Sequence, residues 1–131
     1  MSVVGIPNEI PILSIINEVV FPGHFVRIAV THEKGKSLVA SMANKIDKSI
    51  GICTVEGDTI NANTIRKIGV FANIIEIKKL LHKPGFLVVA RTITRLQIVK
   101  ILSEDPFLKA TVKELIESKK KKKSYQIFFF F

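Results

Sequence analysis

Residues Glu9–Val30 read EIPILSIINEVVFPGHFVRIAV, and this stretch decides the fold. It holds two apolar runs, Ile10 to Ile16 and Phe25 to Val30, each of the four-to-eight-residue length that suits a buried strand. Between them Pro22 fixes its own φ and biases Phe21 toward an extended backbone, while Gly23 permits the positive φ that a sharp reversal needs. Phe21, Pro22 and Gly23 therefore form the predicted fold-defining corner, with a strand on either side.

Outward from this corner the elements follow in order. Residues 1–8, with Gly5, Pro7 and Asn8, read as a loose lead-in. After the second strand, Thr31 is the expected helix N-cap. The apolar residues Leu38, Val39, Met42, Ala43 and Ile46 share one face of a helix predicted to run from Lys34 to Lys48. Lys45 and Lys48 sit where cations complement its carboxyl end, and Gly35 is expected to weaken it. Ile50 to Val55 reads as a strand, followed by turn residues Glu56-Gly57-Asp58-Thr59 and a loop through Asn61 to Thr64. Arg66 to Leu81 reads as two β-rich pieces about Asn73. Lys83-Pro84-Gly85 joins it, as a hairpin, to Phe86 to Ile98. Leu96 to Leu102 and Leu108 to Val112 add short strands separated by Ser103-Glu104-Asp105-Pro106. The result is mainly β with one helix (α+β), with six or seven short strands. Closure into a barrel would remove the unpaired edges of an open sheet.

The same residues carry a family resemblance. Ile10, Pro11 and Leu13, the run Val19-Val20-Phe21-Pro22-Gly23, and then Glu33, Lys34 and Ser37 resemble the start of the N-terminal domain of Lon, the ATP-dependent serine protease. Ile68-Gly69-Val70-Phe71-Ala72, Leu87 to Ile98 and Glu104-Asp105-Pro106-Phe107-Leu108 resemble later strands and the E-D-P-Y-L segment of that family. The resemblance covers residues 9–117. It departs at Thr92, where the family has glycine before its arginine; Arg95 keeps the arginine position. The resemblance implies a PUA-like β-pseudobarrel with a helix at one side, and a noncatalytic role in substrate recognition and assembly.

Composition bounds the rest. At 131 residues the chain has the length of one domain and can bury roughly two thirds of its unfolded surface. A hydrophobic fraction of 47%, dominated by Ile, Val, Leu and Phe, excludes wholesale disorder. The net charge of +9 would ordinarily point to an anionic partner. Five of the 20 basic side chains are Lys119 to Lys123, however, and without them the excess over 11 acidic side chains falls to four. The basicity belongs to the tail, so nucleic acid is not the expected partner. Residues 118–131, SKKKKKSYQIFFFF, form a low-complexity tail with no periodicity that a core could use. Lon proteins continue from about this point into ATPase and protease domains, so the chain resembles a truncated form. A reading-frame slip at the lysine tract would account for such an ending, and a native basic tail is the alternative.

The amino terminus lacks a basic segment and a long apolar run, so no signal peptide is expected. No apolar run reaches the ~18 residues of a membrane span. The single Cys53 cannot pair within the chain and reads as a small core hydrophobe, consistent with the cytoplasm.

Catalytic and cofactor chemistry is not expected. Gly35-Lys36-Ser37 ends like a phosphate-binding loop, but Val30 stands where that motif needs its first glycine. His24, His32 and His82 have no companions at metal-ligand spacing. Glu104-Asp105 precedes Pro106 in a turn, where acids serve local hydrogen bonds. Lys78, Lys79 and Lys83 read as a solvated strand edge.

The candidate polypeptide-binding residues are Leu80, Leu81 and Phe86, at the tip of the predicted hairpin. There the strands overrun the core, and the three could form an apolar patch or fold back to cap the barrel. The expected partners are unfolded or damaged polypeptides, with Lon ATPase and protease domains or self-association for assembly. A stand-alone PUA-like RNA-binding module is the alternative function.

Overall fold

The computed structural model describes residues 7–16, 18–55 and 65–115. The turn residues Glu56 to Thr59, the loop Asn61 to Thr64 and the tail 118–131 lie outside the described residues. Among the described residues, six strands and one helix follow in the order β1 (Glu9–Ile16), β2 (Phe25–Val30), α1 (Glu33–Met42), β3 (Ser49–Val55), β4 (Ile65–Lys79), β5 (Phe86–Ser103) and β6 (Lys109–Glu114). They form one sheet in the order β2-β5-β4-β3-β1-β6, and a further β5–β6 pairing closes it.

β5 makes this closure possible because it is long enough to serve two partners along one side. Its first part, from Phe86 to Arg91, pairs with β2, and its later part, from Leu96 to Ser103, pairs with β6. Its other side pairs antiparallel with β4 from Phe86 to Gln97, with register shifts at Phe71/Ala72 and Ile74/Glu76. These bulges curl the strand pair without breaking it. Two sequence expectations change accordingly. The segment on either side of Asn73 is one strand, and the pieces 86–98 and 96–102 are also one.

β1 runs parallel to β3, the arrangement that β2 and α1 make possible by carrying the chain across between them. Both strands are buried on two faces. Leu13, Ile15, Ile50 and Ile52 pack with Leu38, Val39 and Met42 of the helix, whereas Ile10, Ile12, Cys53 and Val55 pack with Phe71, Leu96 and Ile98 inside the closed ring. Burial of alternate side chains in two cores explains why IPILSII and IGICTV are continuous apolar runs rather than alternating ones. Fully burying side chains of this size contributes about 1.5–3 kcal/mol each.

The helix differs from its sequence expectation at both ends. Its N-cap is His32, not Thr31: the imidazole Nδ1 accepts from the Gly35 amide at 3.0 Å. The other ring nitrogen, Nε2, lies 3.2 Å from the Ser14 carbonyl. With Nδ1 accepting, Nε2 carries the proton and donates to Ser14 on the side of β1 that faces away from β3. Gly35 is buried beneath the ring, and a Cβ there would stand 2.5 Å from His32 Cε1 and 2.6 Å from Val30 Cγ1. The glycine that the periodicity marks as a weakness is what lets the cap close. At the other end α1 stops at Met42, with no basic residue in its last turn. Asp47 then accepts from the Ser49 amide and hydroxyl at 3.1 and 2.6 Å, a local turn that competes with further helix. Ile46, counted on the apolar helical face by spacing, is 102% exposed.

Candidate functional site

The hairpin between β4 and β5 closes through a 3.1 Å bond from the Leu80 amide to the Gly85 carbonyl. Gly85 has φ +135°, and a Cβ on it would collide with the Val30 carbonyl, so the hairpin tip folds against the end of β2. The three predicted residues divide here. Leu81 points outward and is 90% exposed. Leu80 is half-buried, with Cδ1 against Gly85. Phe86 is half-buried against the core under α1 and pairs with Val30 on one side and Lys79 on the other. Phe86 also lines a cleft of about 360 Å³ whose walls include Ala43, Lys48, Ile75 and Ile77. A path of partly exposed apolar surface thus leads from the tip along β4, where Ile75 is 54% exposed.

The predicted corner forms a second apolar feature. Gly23 has φ +85°, and its amide donates to the Thr92 carbonyl at 2.9 Å. Thr92 is fully buried and its Oγ1 donates to the Phe21 carbonyl at 2.7 Å while accepting from the His24 amide at 2.8 Å. Held this way, the loop leaves Val19 63% and Phe21 52% exposed. The Arg95 guanidinium carbon lies 5.7 Å from the Phe21 ring centroid, within the range of a cation–π contact. Beside it is a cleft of about 480 Å³ lined by Val19, Val20, Thr54, Lys67, Ile68 and Arg95. In the sequence, Val19 and Ile68 carry the family resemblance but were not among the candidate binding residues. Two adjacent valines at a Pro-Gly corner, outside any strand, were the available signal.

Several titratable groups elsewhere serve the fold. Gly35-Lys36-Ser37 lies within α1, where Lys36 pairs with Glu33 at 2.8 Å; that bond and charge hold the Glu33 carboxyl below its ordinary value. Lys34 Nζ donates to the Glu104 carbonyl at 2.6 Å and lies 3.4 Å from Asp105, tying the helix start to the turn before β6. Burial pushes the Cys53 thiol up to about 12. Among the described residues, no group of three or more His, Cys, Asp or Glu is placed to hold a metal ion, and no helix is long and apolar enough to cross a membrane.

Known proteins match this architecture. The chain is 30% identical over 117 residues to the Lon protease of Flavobacterium johnsoniae, covering 87% of this chain and 14% of that protein. It is 29% identical over 125 residues to Lon protease 2 of Myxococcus xanthus, covering 93% and 15%. It therefore spans about one seventh of the length of these relatives. Among solved structures, the N-terminal domain of the Mycobacterium avium complex Lon protease superposes with a TM-score of 0.60 at 18% identity, covering 91% of this chain and 72% of that one. The Lon N-terminal domain protein of Xanthomonas campestris gives 0.62 at 16% identity, covering 82% and 60%; at these identities both speak for the fold. The model of the ATP-dependent protease La (LON) substrate-binding domain matches residues 9–128, and the chain belongs to that family.

Proposed function

We propose that the chain is a noncatalytic recognition module that binds exposed apolar segments of unfolded polypeptides and holds them for the ATPase and protease activities of Lon. The observation that carries this reading is the exposed apolar surface at the hairpin tip. Leu81 is 90% exposed and contributes almost nothing to the core, and Phe86 opens into the cleft beside Ile75. Weak, sequence-tolerant capture through such surface raises the local concentration of substrate near a tethered enzyme. A single buried Cys53 suits a reducing cytoplasm. The RNA-binding alternative gains no support, since the matched family model describes a substrate-binding domain of a protease.

The test is capture of fluorescently labelled, unfolded casein by the full chain and by a Leu80→Ser/Leu81→Ser double variant. Weaker capture by the folded variant, with little dependence on salt, supports the reading. Unchanged capture disposes of the hairpin-tip site, and steeply salt-dependent RNA binding by the chain would favour the alternative.

A further inference from the structure

β2 is a strand whose whole outer edge the sheet leaves open. β4 is also unpaired on its side away from β5 beyond Ile74, but there a register shift at Ile74/Glu76 and the lysines Lys78 and Lys79 blunt the edge. β6 joins β5 to complete the ring, and where β1 extends beyond β6 its Ile12 amide donates to the Leu108 carbonyl while its Ser14 carbonyl accepts from His32. β2 pairs with β5 on one side, in unbroken register from Phe25↔Arg91 to Val30↔Phe86, and among the described residues pairs with no other strand. It has neither a proline nor a bulge, two of the usual devices that blunt an edge.

The hydrogen-bond alternation fixes which groups face outward. The Thr92 amide donates to the His24 carbonyl at 2.8 Å, so His24, and every second residue after it, turns its backbone toward β5. Phe25, Arg27 and Ala29 therefore turn their N–H and C=O groups away from the sheet. Their side chains are exposed as well, Phe25 at 71%, while Val26, Ile28 and Val30 pack inward. α1 lies nearest β1 rather than β2.

Resting on the substrate-binding reading above, we infer that the outer edge of β2 adds an extended segment of the bound polypeptide as a further strand, with an acidic side chain opposite Arg27 and an apolar one beside Phe25. Backbone bonds from alternate residues give sequence-tolerant capture, and the exposed side chains give a preference. Arg27 has no carboxylate partner among the described residues, so charge complementarity selects an acidic neighbour. The same charge opposes a second copy of this chain: fully overlapped antiparallel pairing of two β2 edges places Arg27 against Arg27.

Two variants and two probes test this. The probes are short capped peptides in which valine alternates with threonine, one with a central aspartate and one with a central lysine. The full chain should bind the aspartate peptide more tightly, with new hydrogen-exchange protection at the Phe25, Arg27 and Ala29 amides. Ala29→Pro removes an outward donor without touching the ladder to β5, and should weaken binding about tenfold with an unchanged melting temperature. Arg27→Glu, which leaves the backbone intact, should reverse the preference to the lysine peptide. Equal binding by all three proteins, or protection that arises with concentration-dependent dimerisation in the absence of peptide, overturns the inference. If casein capture fails in the Leu80→Ser/Leu81→Ser variant while both β2 variants capture it normally, the hairpin-tip reading survives and the edge does not.

Discussion

Thr92 Oγ1 lies 2.7 Å from the Phe21 carbonyl and 2.8 Å from the His24 amide, so one buried hydroxyl holds both sides of the Pro22-Gly23 corner. Thr92 follows the stretch of β5 that pairs with β2 and precedes the stretch that pairs with β6, leaving an opening that the corner fills. This is also where the family resemblance predicts glycine. A glycine would leave the corner without that hydroxyl, so the departure from the family pattern supplies a fastening of this chain's own. Thr92→Val keeps the shape and removes the hydroxyl, stranding the His24 amide. It should cost about 1–3 kcal/mol in urea unfolding. Thr94→Val, whose partner Glu114 is only half-buried, should cost less.

The His32 cap works only when the imidazole is neutral, because Nδ1 must accept from Gly35. Burial lowers the His32 pKa below 6.5, partly opposed by the bond to Ser14. A base whose folded pKa is depressed adds stability that is complete above its unfolded pKa and is lost as pH falls below it. Unfolding free energy should therefore decline as pH drops below about 6.5. His32→Asn keeps a capping acceptor without the titration. The difference between the two proteins, measured by urea melts across this range, should shrink or reverse as pH falls.

Gly35→Ala tests whether helix propensity or packing wins at that cap. Alanine in a helix is favoured over glycine by about 1 kcal/mol. The added methyl would meet His32 and Val30 at 2.5–2.6 Å, and displacing a cap costs about 0.5–2 kcal/mol, with overpacking adding about 1–3. The variant should be less stable than the parent by chemical denaturation, although it improves the helix on paper.

Much of this was readable from residues and some was not, for physical reasons. The Phe21-Pro22-Gly23 corner was legible because proline and glycine restrict or free φ locally, independent of what packs nearby. The helix ends were not. Ile46 falls on the apolar face by spacing, but Asp47 and Ser49 satisfy each other and draw the chain out of the helix. Histidine is an uncommon cap, and His32 serves as one because Ser14, from a distant strand, fixes its second nitrogen. The unity of β5 was hidden because its partner changes midway, a tertiary fact with no local signature. At the candidate site, Leu81 lies exposed, one of the two placements the sequence left open, whereas the exposure of Val19 and Ile68 depends on how the corner docks.

Cys53 is 1% exposed and its thiol is pushed up to about 12 by burial. The reactive species is the thiolate, so the folded chain should resist an aromatic disulfide reagent at neutral pH. Labelling should follow global unfolding as urea is added. Rapid, stoichiometric reaction in the absence of denaturant would show that the strand pair β3–β4 opens locally.

The division of the hairpin tip into an outward and an inward residue predicts that stability and binding separate between Leu81 and Phe86. Leu81 is 90% exposed, and replacing an exposed apolar residue usually changes stability by no more than about 0.5 kcal/mol. Leu81→Ser should therefore melt with the parent while capturing unfolded casein more weakly. Phe86 packs on the core beneath α1 and also lines the adjoining cleft. Phe86→Ala should lower stability by about 1–3 kcal/mol, less than the 3–5 kcal/mol of a fully buried phenylalanine, and weaken capture as well. Phe86→Leu retains most of the buried volume and narrows the aromatic surface facing the cleft. It should recover most of the stability, and a loss of capture that persists would assign the ring itself a part in binding. If Leu81→Ser loses stability as Phe86→Ala does, the tip caps the barrel, and the surface that receives polypeptide lies elsewhere on the domain.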